Sequence, residues 1–505
     1  MSIAAGRGMR SLFAVAGLSL LAGCAVGPDF HRPAGPVGIS YTVGPLAPQT
    51  AKADVAGGEA QRFVQGMDIP GQWWTLFHSK PLDALIAAAL KANPDIAAAR
   101  AALRVAQENV YAQQGAYYPS VQANFTPTRN KFPPATLSPV AATLNPYYGL
   151  YTTQLAVSYV PDVFGLNRRT VEAIEAQAEA QRFELEAAYL SLTSNVVAAA
   201  VQEASVRGQI AATREVVRAE SESLGILRRQ LSLGQVAGAD VAAQEAALAQ
   251  ALASLPPLRK QLAQQRDLLA ALAGRFPSEG VAGKFELASL QLPKNLPVSL
   301  PAKLIEQRPD VRAAEAQLHS ASAEIGVAVA NMLPNVTLSA NVGSEALQMG
   351  QLFGPGTSFW TLAGGLTQPI FEGGTLLHRT RAARAAYDEA ASQYRSTVIT
   401  AFQNVADALR ALQFDAEAMA ASATAERAAA ATLDITRRQL ALGEIAYLSL
   451  LAAEQTYQQA VINRVQAQAE RYADTAALFQ ALGGGWWNRT AGGTQPPGAS
   501  AQSDG

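Results

Sequence analysis

The chain is short of the residue types on which several classes of protein depend. Its 505 residues contain one Cys and four His, which excludes an internal disulfide and leaves little material for a zinc cluster. Charged residues make up only 16% of the chain, and 39 Lys and Arg nearly balance 40 Asp and Glu. A chain with this balance offers no general electrostatic footprint for phosphates, so we expect no nucleic-acid partner.

Enzyme signatures are also missing. The sequence contains no phosphate-binding Walker loop, no His-Glu-x-x-His zinc motif and no Gly-x-Ser-x-Gly nucleophile motif. Glu172, Glu175 and Glu179 share a helical face that is better explained as a solvated or interchain surface than as paired catalytic carboxylates. We therefore predict that the protein is not an enzyme and holds no metal or resident cofactor.

Long apolar runs are absent after the first 30 residues. No later stretch of about 18 uncharged apolar residues occurs, which argues against a transmembrane helix. A membrane-spanning form of this chain would therefore have to be a closed β-barrel.

The first 23 residues have the layout of an export signal. Arg7 and Arg10 precede an apolar run over 11–21, and Leu21-Ala22-Gly23-Cys24 follows. This ending resembles a bacterial lipobox, which implies cleavage before Cys24 and covalent S-diacylglycerol and N-acyl (palmitate) lipid on that residue. Three acyl chains exceed the two signals needed for stable anchoring. Ala25 in place of Asp points to the outer membrane, so we expect a lipid-anchored protein there.

An internal repeat of roughly 210 residues is the most informative pattern, because it is far longer than solenoid repeats. In each half two prolines stand 25 residues apart, and a Leu-Gly turn follows later. The matching residues are Pro94, Pro119 and Gly234 in the first half and Pro309, Pro334 and Gly443 in the second. Two copies of one structural unit are therefore fused in tandem.

Periodicity predicts the same order of elements in each copy: helix, β-hairpin, long helical hairpin. The predicted ranges are 81–274 for the first repeat, with strands in 120–160, a Pro-containing loop over 127–146 and helices over 167–274, and 306–487 for the second, with strands in 335–370 and helices over 375–482. Outside the repeats we predict an extended equatorial segment over 24–80, an equatorial linker over 275–305 and a disordered tail over 488–505. Pro256 and Pro257 are expected to kink one return helix.

The predicted strands alternate between apolar residues and small or polar residues. The polar residues expected to face a water-filled lumen are Thr152, Gln154, Ser158, Thr361 and Thr367. Alternation alone also fits a soluble sandwich, but tyrosines and tryptophan at strand ends favour a membrane barrel. Four strands cannot close a barrel, since about eight is the practical minimum, so we expect three chains and twelve strands.

The long helical tracts, 167–233 and 375–442, would each extend about 100 Å at 1.5 Å per residue. Each ends at a Leu-Gly turn and returns as a second helix, which indicates antiparallel coiled-coil hairpins. The fold class expected from these patterns is α+β.

Four motifs in order resemble the outer membrane factor family, and in particular its lipoprotein branch, which serves resistance-nodulation-division (RND) efflux pumps. The motifs are Cys24–Pro33, Trp73–Phe77, Arg308–Glu315 and Pro369–Gly374. The resemblance implies a homotrimer with a twelve-stranded transmembrane β-barrel and a long periplasmic coiled-coil barrel. It also implies three kinds of partner: outer membrane lipid, a periplasmic membrane-fusion adaptor and an inner-membrane RND-type pump.

The resemblance further implies a periplasmic gate at the turns between the paired helices. Leu448 matches an apolar ring and Asp240 an acidic position, whereas Ser449 and Ala452 stand where relatives carry Asp. Glu444 or Glu454 is a candidate substitute for the acidic ring. The plain alternative is that these residues are ordinary coiled-coil surface.

The expected function is that of a passive exit duct in a tripartite efflux pump, conducting drugs or other small compounds. A duct for protein or metabolite secretion is the nearest alternative. A periplasmic coiled-coil adaptor fits less well, because it would lack two hairpins with lumen patterning.

Overall fold

A computed structural model of the chain describes residues 25–36, 40–131, 133 and 147–489. The described residues form two compact units, one of 25–32, 103–181 and 314–394 and the other of 33–102, 182–313 and 395–489. Each unit contains parts of both sequence repeats, so the compact units cut across the repeats.

The elements follow the chain in a repeated order. They are β1 (Arg62–Gln65), α1 (Lys80–Ala92), α2 (Pro94–Gln114), β2 (Ser120–Lys131), β3 (Tyr147–Tyr159), α3 (Leu166–Ser232), α4 (Gly238–Leu272), β4 (Asn295–Val298), α5 (Pro301–Gln307), α6 (Pro309–Ala330), β5 (Asn335–Ala346), β6 (Ser358–Thr367), α7 (Thr375–Ala441) and α8 (Tyr447–Ala481).

The first unit contains an antiparallel sheet of four strands in the order β2-β3-β5-β6. The hairpins of the two repeats join through β3 and β5, where Gln154 pairs with Gly343. This pairing is the physical reason why the first compact unit contains parts of both repeats. Strands β2 and β6 are the two edges of the sheet within the described chain.

The loop predicted over 127–146 begins later than expected. Strand β2 continues through Pro127 to Lys131, and Pro127 pairs with Tyr151. An edge strand tolerates a proline because one side of it needs no ladder hydrogen bond within the sheet. Residues 134–146 lie outside the described residues.

The helices form two matched pairs. Helices α3 and α7 have 67 residues each, and α4 and α8 have 35 each. Their Ala-rich sequences have high helix propensity, and small side chains allow close packing. Pro256 and Pro257 both lie inside α4. None of the helices in the described part of the chain is apolar over a stretch long enough to cross a bilayer.

The segments predicted to be equatorial pack together in the second unit. Strands β1 and β4 pair in parallel, and Trp73 stacks on Phe479 of α8 with ring centroids 5.3 Å apart. The buried Arg471 of α8 donates hydrogen bonds to the backbone carbonyls of Gly57 and Glu59 at 2.7 and 2.9 Å. The N-terminal segment is therefore held against α8 by a buried guanidinium and aromatic packing.

Residues 488 and 489, predicted to begin a disordered tail, are ordered in the structure. Asn488 ends a short 3₁₀ helix (Trp486–Asn488) and donates to Asp68 at 2.7 Å, while Trp486 donates to the carbonyl of Gln307 at 2.7 Å. Arg489 forms an ion pair with Glu186. These contacts correct the boundary, and residues 490–505 lie outside the described residues.

Candidate functional site

One face of the four-stranded sheet collects the polar side chains predicted to line a lumen. Directly paired residues share a face, and the register joins Thr152 to Glu345, Ser158 to Ser339 and Thr361 to Asn341. Gln154 and Thr367 have the same strand parity and lie on this face. Thr152 donates to the Glu345 carboxylate at 3.3 Å. The face thus offers hydroxyl and amide groups to water, and its position at a lumen stays a prediction.

The opposite face of the sheet is apolar and uncovered in the single chain. It carries Leu155 paired with Val342 and Leu362 paired with Ala340. Leu362 is 74% exposed and Leu155 is 49% exposed. A folded soluble sheet normally covers such a face, so this one requires an apolar environment outside the chain.

The two helical turns at the predicted gate have the same backbone geometry. Gly234 and Gly443 adopt positive φ angles of 74° and 75°, as required at the left-handed end of a helix. The next amides, of Gln235 and Glu444, donate to carbonyls five residues back at 2.9 and 3.0 Å. The sequence repeat therefore has a structural counterpart, since both long helices end with the same backbone geometry.

The structure separates the predicted gate residues into exposed and buried groups. Leu448 is 60% exposed in the first turn of α8, and Glu444 is exposed in the turn before it. Asp240 accepts a hydrogen bond from the Ala237 amide at 3.3 Å, which is half of a helix-capping arrangement. Glu454, by contrast, is 7% exposed and accepts from Arg437 at 3.2 Å.

Glu454 belongs to a buried polar cluster that links the two helical hairpins. Gln244 of α4 donates to the carboxylate and the carbonyl of Glu220 of α3, and its amide oxygen accepts from the hydroxyl of Tyr447 of α8 at 2.8 Å. One carboxylate oxygen of Glu454 has no hydrogen-bond partner. Because Glu454 lies inside the helix packing, it does not fit the exposed acidic ring for which the sequence made it a candidate.

Burial governs the protonation of this cluster. Desolvation raises the pKa of Glu220, and the nearby Glu454 raises it further. Desolvation also raises the pKa of Glu454, against the opposing effect of Arg437. Both carboxyls consequently hold a proton more tightly than exposed glutamates do.

The sequence contains a signal for this cluster. Gln244 occupies the same helical stripe as the buried Val241, Ala251 and Leu255, and a polar side chain in an apolar stripe needs a buried partner. Glu220 likewise lies on the stripe of Leu224 and Leu227. Which partner each one finds depends on helix pairing, which periodicity does not specify.

Two other predicted features are not tested by the geometry. Cys24, the predicted lipidation site, lies outside the described residues. Among the residues that the structure does describe, no three His, Cys, Asp or Glu side chains are arranged to hold a metal ion.

Comparison with known proteins identifies a family and relatives that this chain resembles. Residues 85–275 and 300–484 match the family described as outer membrane efflux protein. The chain is 28% identical over 473 residues to a probable efflux pump outer membrane protein, TtgC, of Pseudomonas putida, covering 93% of this chain and 94% of that relative. It is also 28% identical over 480 residues to outer membrane protein OprJ of Pseudomonas aeruginosa, covering 92% and 94%.

A solved structure shows the same arrangement of elements. The outer-membrane channel OprN superposes with a TM-score of 0.80 at 26% identity, covering 92% of this chain and 100% of that channel. The match over both repeats, in sequence and in structure, shows that the chain belongs to the outer membrane efflux protein family.

Proposed function

We propose that three copies of this chain form the outer-membrane exit duct of a tripartite efflux pump. The protein is an outer membrane channel that extends into the periplasm, in keeping with its family. In the proposed assembly a periplasmic adaptor connects the duct to an inner-membrane RND-type pump. The pump supplies the energy, so the duct itself carries out no chemistry and is not an enzyme.

The main support for a trimer is the four-stranded sheet. Its apolar face is exposed, its other face is polar, and both edge strands are open within the described chain. Open edges of 12 and 10 residues would template aggregation unless they pair. Pairing β2 of one copy with β6 of the next closes the edges, and three copies give twelve strands.

A barrel of twelve strands leaves an aqueous lumen, because about eight strands already enclose a space filled by side chains. The polar face would line this lumen and the apolar face would meet lipid. The relatives named for efflux pumps support small compounds as the exported class. The lipid on Cys24 would add a membrane anchor at the mature N-terminus.

Cysteine crosslinking tests the strand pairing between copies. Cys24 is the only native cysteine, so a pair introduced in β2 and β6, such as Asn124→Cys with Ala363→Cys, has a low background. Scanning neighbouring positions of the polar face covers the unknown register. We expect covalent trimers on oxidation, and cation or solute conductance of the trimer in planar bilayers.

Two results would contradict the proposed trimer. Crosslinked dimers alone, or monomers at every scanned pair, would mean that the edges do not pair in a closed ring of three. Each single-cysteine variant serves as the matched control.

A further inference from the structure

We infer that Arg129 and Lys131 form a binding site for the phosphate groups of the lipid headgroups in the outer leaflet of the outer membrane. The inference depends on the closed barrel proposed above, in which the apolar face of the sheet meets lipid. It adds a specific lipid contact that barrel closure by itself does not require.

The register places both cations on the apolar face. In β2 this face carries Val121, Ala123 and Phe125, which pair with apolar or small residues of β3. The same face then changes to Arg129 and Lys131 at the hairpin end of the strand. On a membrane-facing strand, this change from apolar side chains to two cations marks the edge between the hydrocarbon and the polar headgroups.

The topology identifies which boundary this is. The end of every strand opposite its hairpin connects to a helix, because α2 and α6 lead into β2 and β5, while β3 and β6 lead into α3 and α7. In an outer membrane channel whose helices extend into the periplasm, the hairpin ends face outward. Arg129 and Lys131 therefore lie toward the outer leaflet.

The distances agree with the height of an apolar band. Val121 and Arg129 are about 26 Å apart along the strand at roughly 3.3 Å per residue. With a tilt near 40°, Arg129 lies about 20 Å and Lys131 about 25 Å above Val121, close to the roughly 25 Å height of a barrel's apolar band. Both side chains can thus extend from the hydrocarbon edge into the headgroups.

The surroundings of the two cations favour an external anion. Within the four described strands, the apolar face carries no Asp or Glu, and Glu345 lies on the other face. Arg129 is exposed, and its direct register partner is Gly149, which has no side chain to lie opposite the guanidinium. Lys131 places its ammonium 5.4 Å from the ring centroid of Tyr147, an interfacial arrangement that keeps the charge near the surface.

Phosphate is the anion that this pair suits. Arg can bind phosphate through two parallel hydrogen bonds, and Lys adds a compact charge. Residues two apart on one strand face are separated by about 6.6 Å, which lets both reach one phosphate. Headgroup phosphates are present at high density in the plane where these side chains end.

Native mass spectrometry of the full-length trimer tests this inference. The probe is bisphosphorylated lipid A, with dephosphorylated lipid A as the comparison lipid, added to wild type and to the R129Q/K131Q variant. The control variant, R379Q/R381Q, removes two exposed cations from the first turns of α7, at the other end of the sheet. We expect about 30-fold weaker binding of bisphosphorylated lipid A only in R129Q/K131Q.

Three results would overturn the inference: equal binding by R129Q/K131Q and R379Q/R381Q, an equal loss for dephosphorylated lipid A, or displacement of bound lipid A by inorganic phosphate. The last result would indicate a free-phosphate site instead of a headgroup site. The same spectra report the trimer mass, so absence of trimers in wild type would contradict the proposed function and not this site alone. If the double variant assembles poorly, the single variants R129Q and K131Q supply the comparison.

Discussion

The exposure of each residue near the helical turns determines whether its substitution affects permeation or stability. Leu448 and Leu442 are both exposed leucines near one turn, so replacing either one should leave the helix packing intact. Glu220 and Gln244 are buried and hydrogen-bonded. Changes at the first pair therefore report on permeation, and changes at the second pair report on stability.

Leu448→Ser should raise the single-channel conductance of the isolated trimer in a planar bilayer. An apolar ring excludes water from a narrow pore, and a hydroxyl makes the same ring wettable. Leu442→Ser provides a control of the same chemistry at an exposed position near the same turn. Unchanged conductance in Leu448→Ser would remove Leu448 from the gate and leave it as coiled-coil surface.

Glu220→Gln should stabilise the helical hairpins at pH 7.5 and flatten their dependence on pH. Because burial raises the pKa of Glu220, the folded state binds its proton more tightly than the unfolded state does. The contribution of Glu220 to stability is fully present below its ordinary pKa of 4.5. This contribution is lost as the pH rises through the raised pKa of the folded state. Glutamine retains the shape without the charge.

The measurement is the midpoint temperature of unfolding at pH 5 and pH 7.5. We expect a rise of about 2 to 4 °C at pH 7.5, as roughly 1 kcal/mol produces in a large domain. Glu222→Gln, an exposed neighbour on α3, should change neither value. A drop in the midpoint for Glu220→Gln at pH 7.5 would mean that the ionised carboxylate stabilises the packing.

At the scale of elements, the two faces of one strand should respond oppositely to the same substitution. Leu155→Arg or Leu362→Arg should weaken assembly by about 2 to 4 kcal/mol, the cost of arginine near the bilayer midplane on a lipid-facing strand. Thr152→Arg or Thr361→Arg, on the polar face, should assemble and lower cation conductance. The readouts are the yield of folded trimers and single-channel current, and equal tolerance on both faces would contradict the assignment of lipid and lumen sides.

Truncations on either side of the 3₁₀ helix Trp486–Asn488 should have different effects. Ending the chain after Arg489 should leave trimer assembly and thermal stability unchanged. Ending it after Gly485 should cost about 2 to 4 kcal/mol, because it removes Trp486, the aromatic packing of that segment and its hydrogen bond to Gln307. Loss of trimers in the chain that ends at Arg489 would show that residues 490–505 have a structural role.

For the whole molecule, the mature protein should begin at Cys24 and carry lipid. Mass spectrometry of membrane-extracted protein should find a tri-acylated N-terminal cysteine and no residues from 1–23. Cys24→Ala should abolish the lipid mass and leave an uncleaved or differently cleaved chain. An unmodified thiol, or an intact Met1 in the wild-type protein, would contradict this prediction.

Local patterns were sufficient to predict the order of elements and the two faces of the sheet. The alternation from Val121 to Phe125 and from Thr152 to Ser158 depends on side chains pointing to opposite sides of a strand, a property of each strand alone. The helix ends at Gly234 and Gly443 are equally local, since a left-handed residue is needed wherever a helix stops in this way. The repeat was visible because both copies keep these local requirements.

Contacts between distant segments were decided only by the tertiary structure. Pro127 could extend β2 because that strand is an edge, and Asn488 is ordered because Asp68 lies beside it. The cluster of Glu220, Gln244 and Tyr447 requires three helices to pack in one register. A sequence specifies which residues avoid water, but the partner of a buried polar group is set by packing across many residues, and burial then determines its pKa.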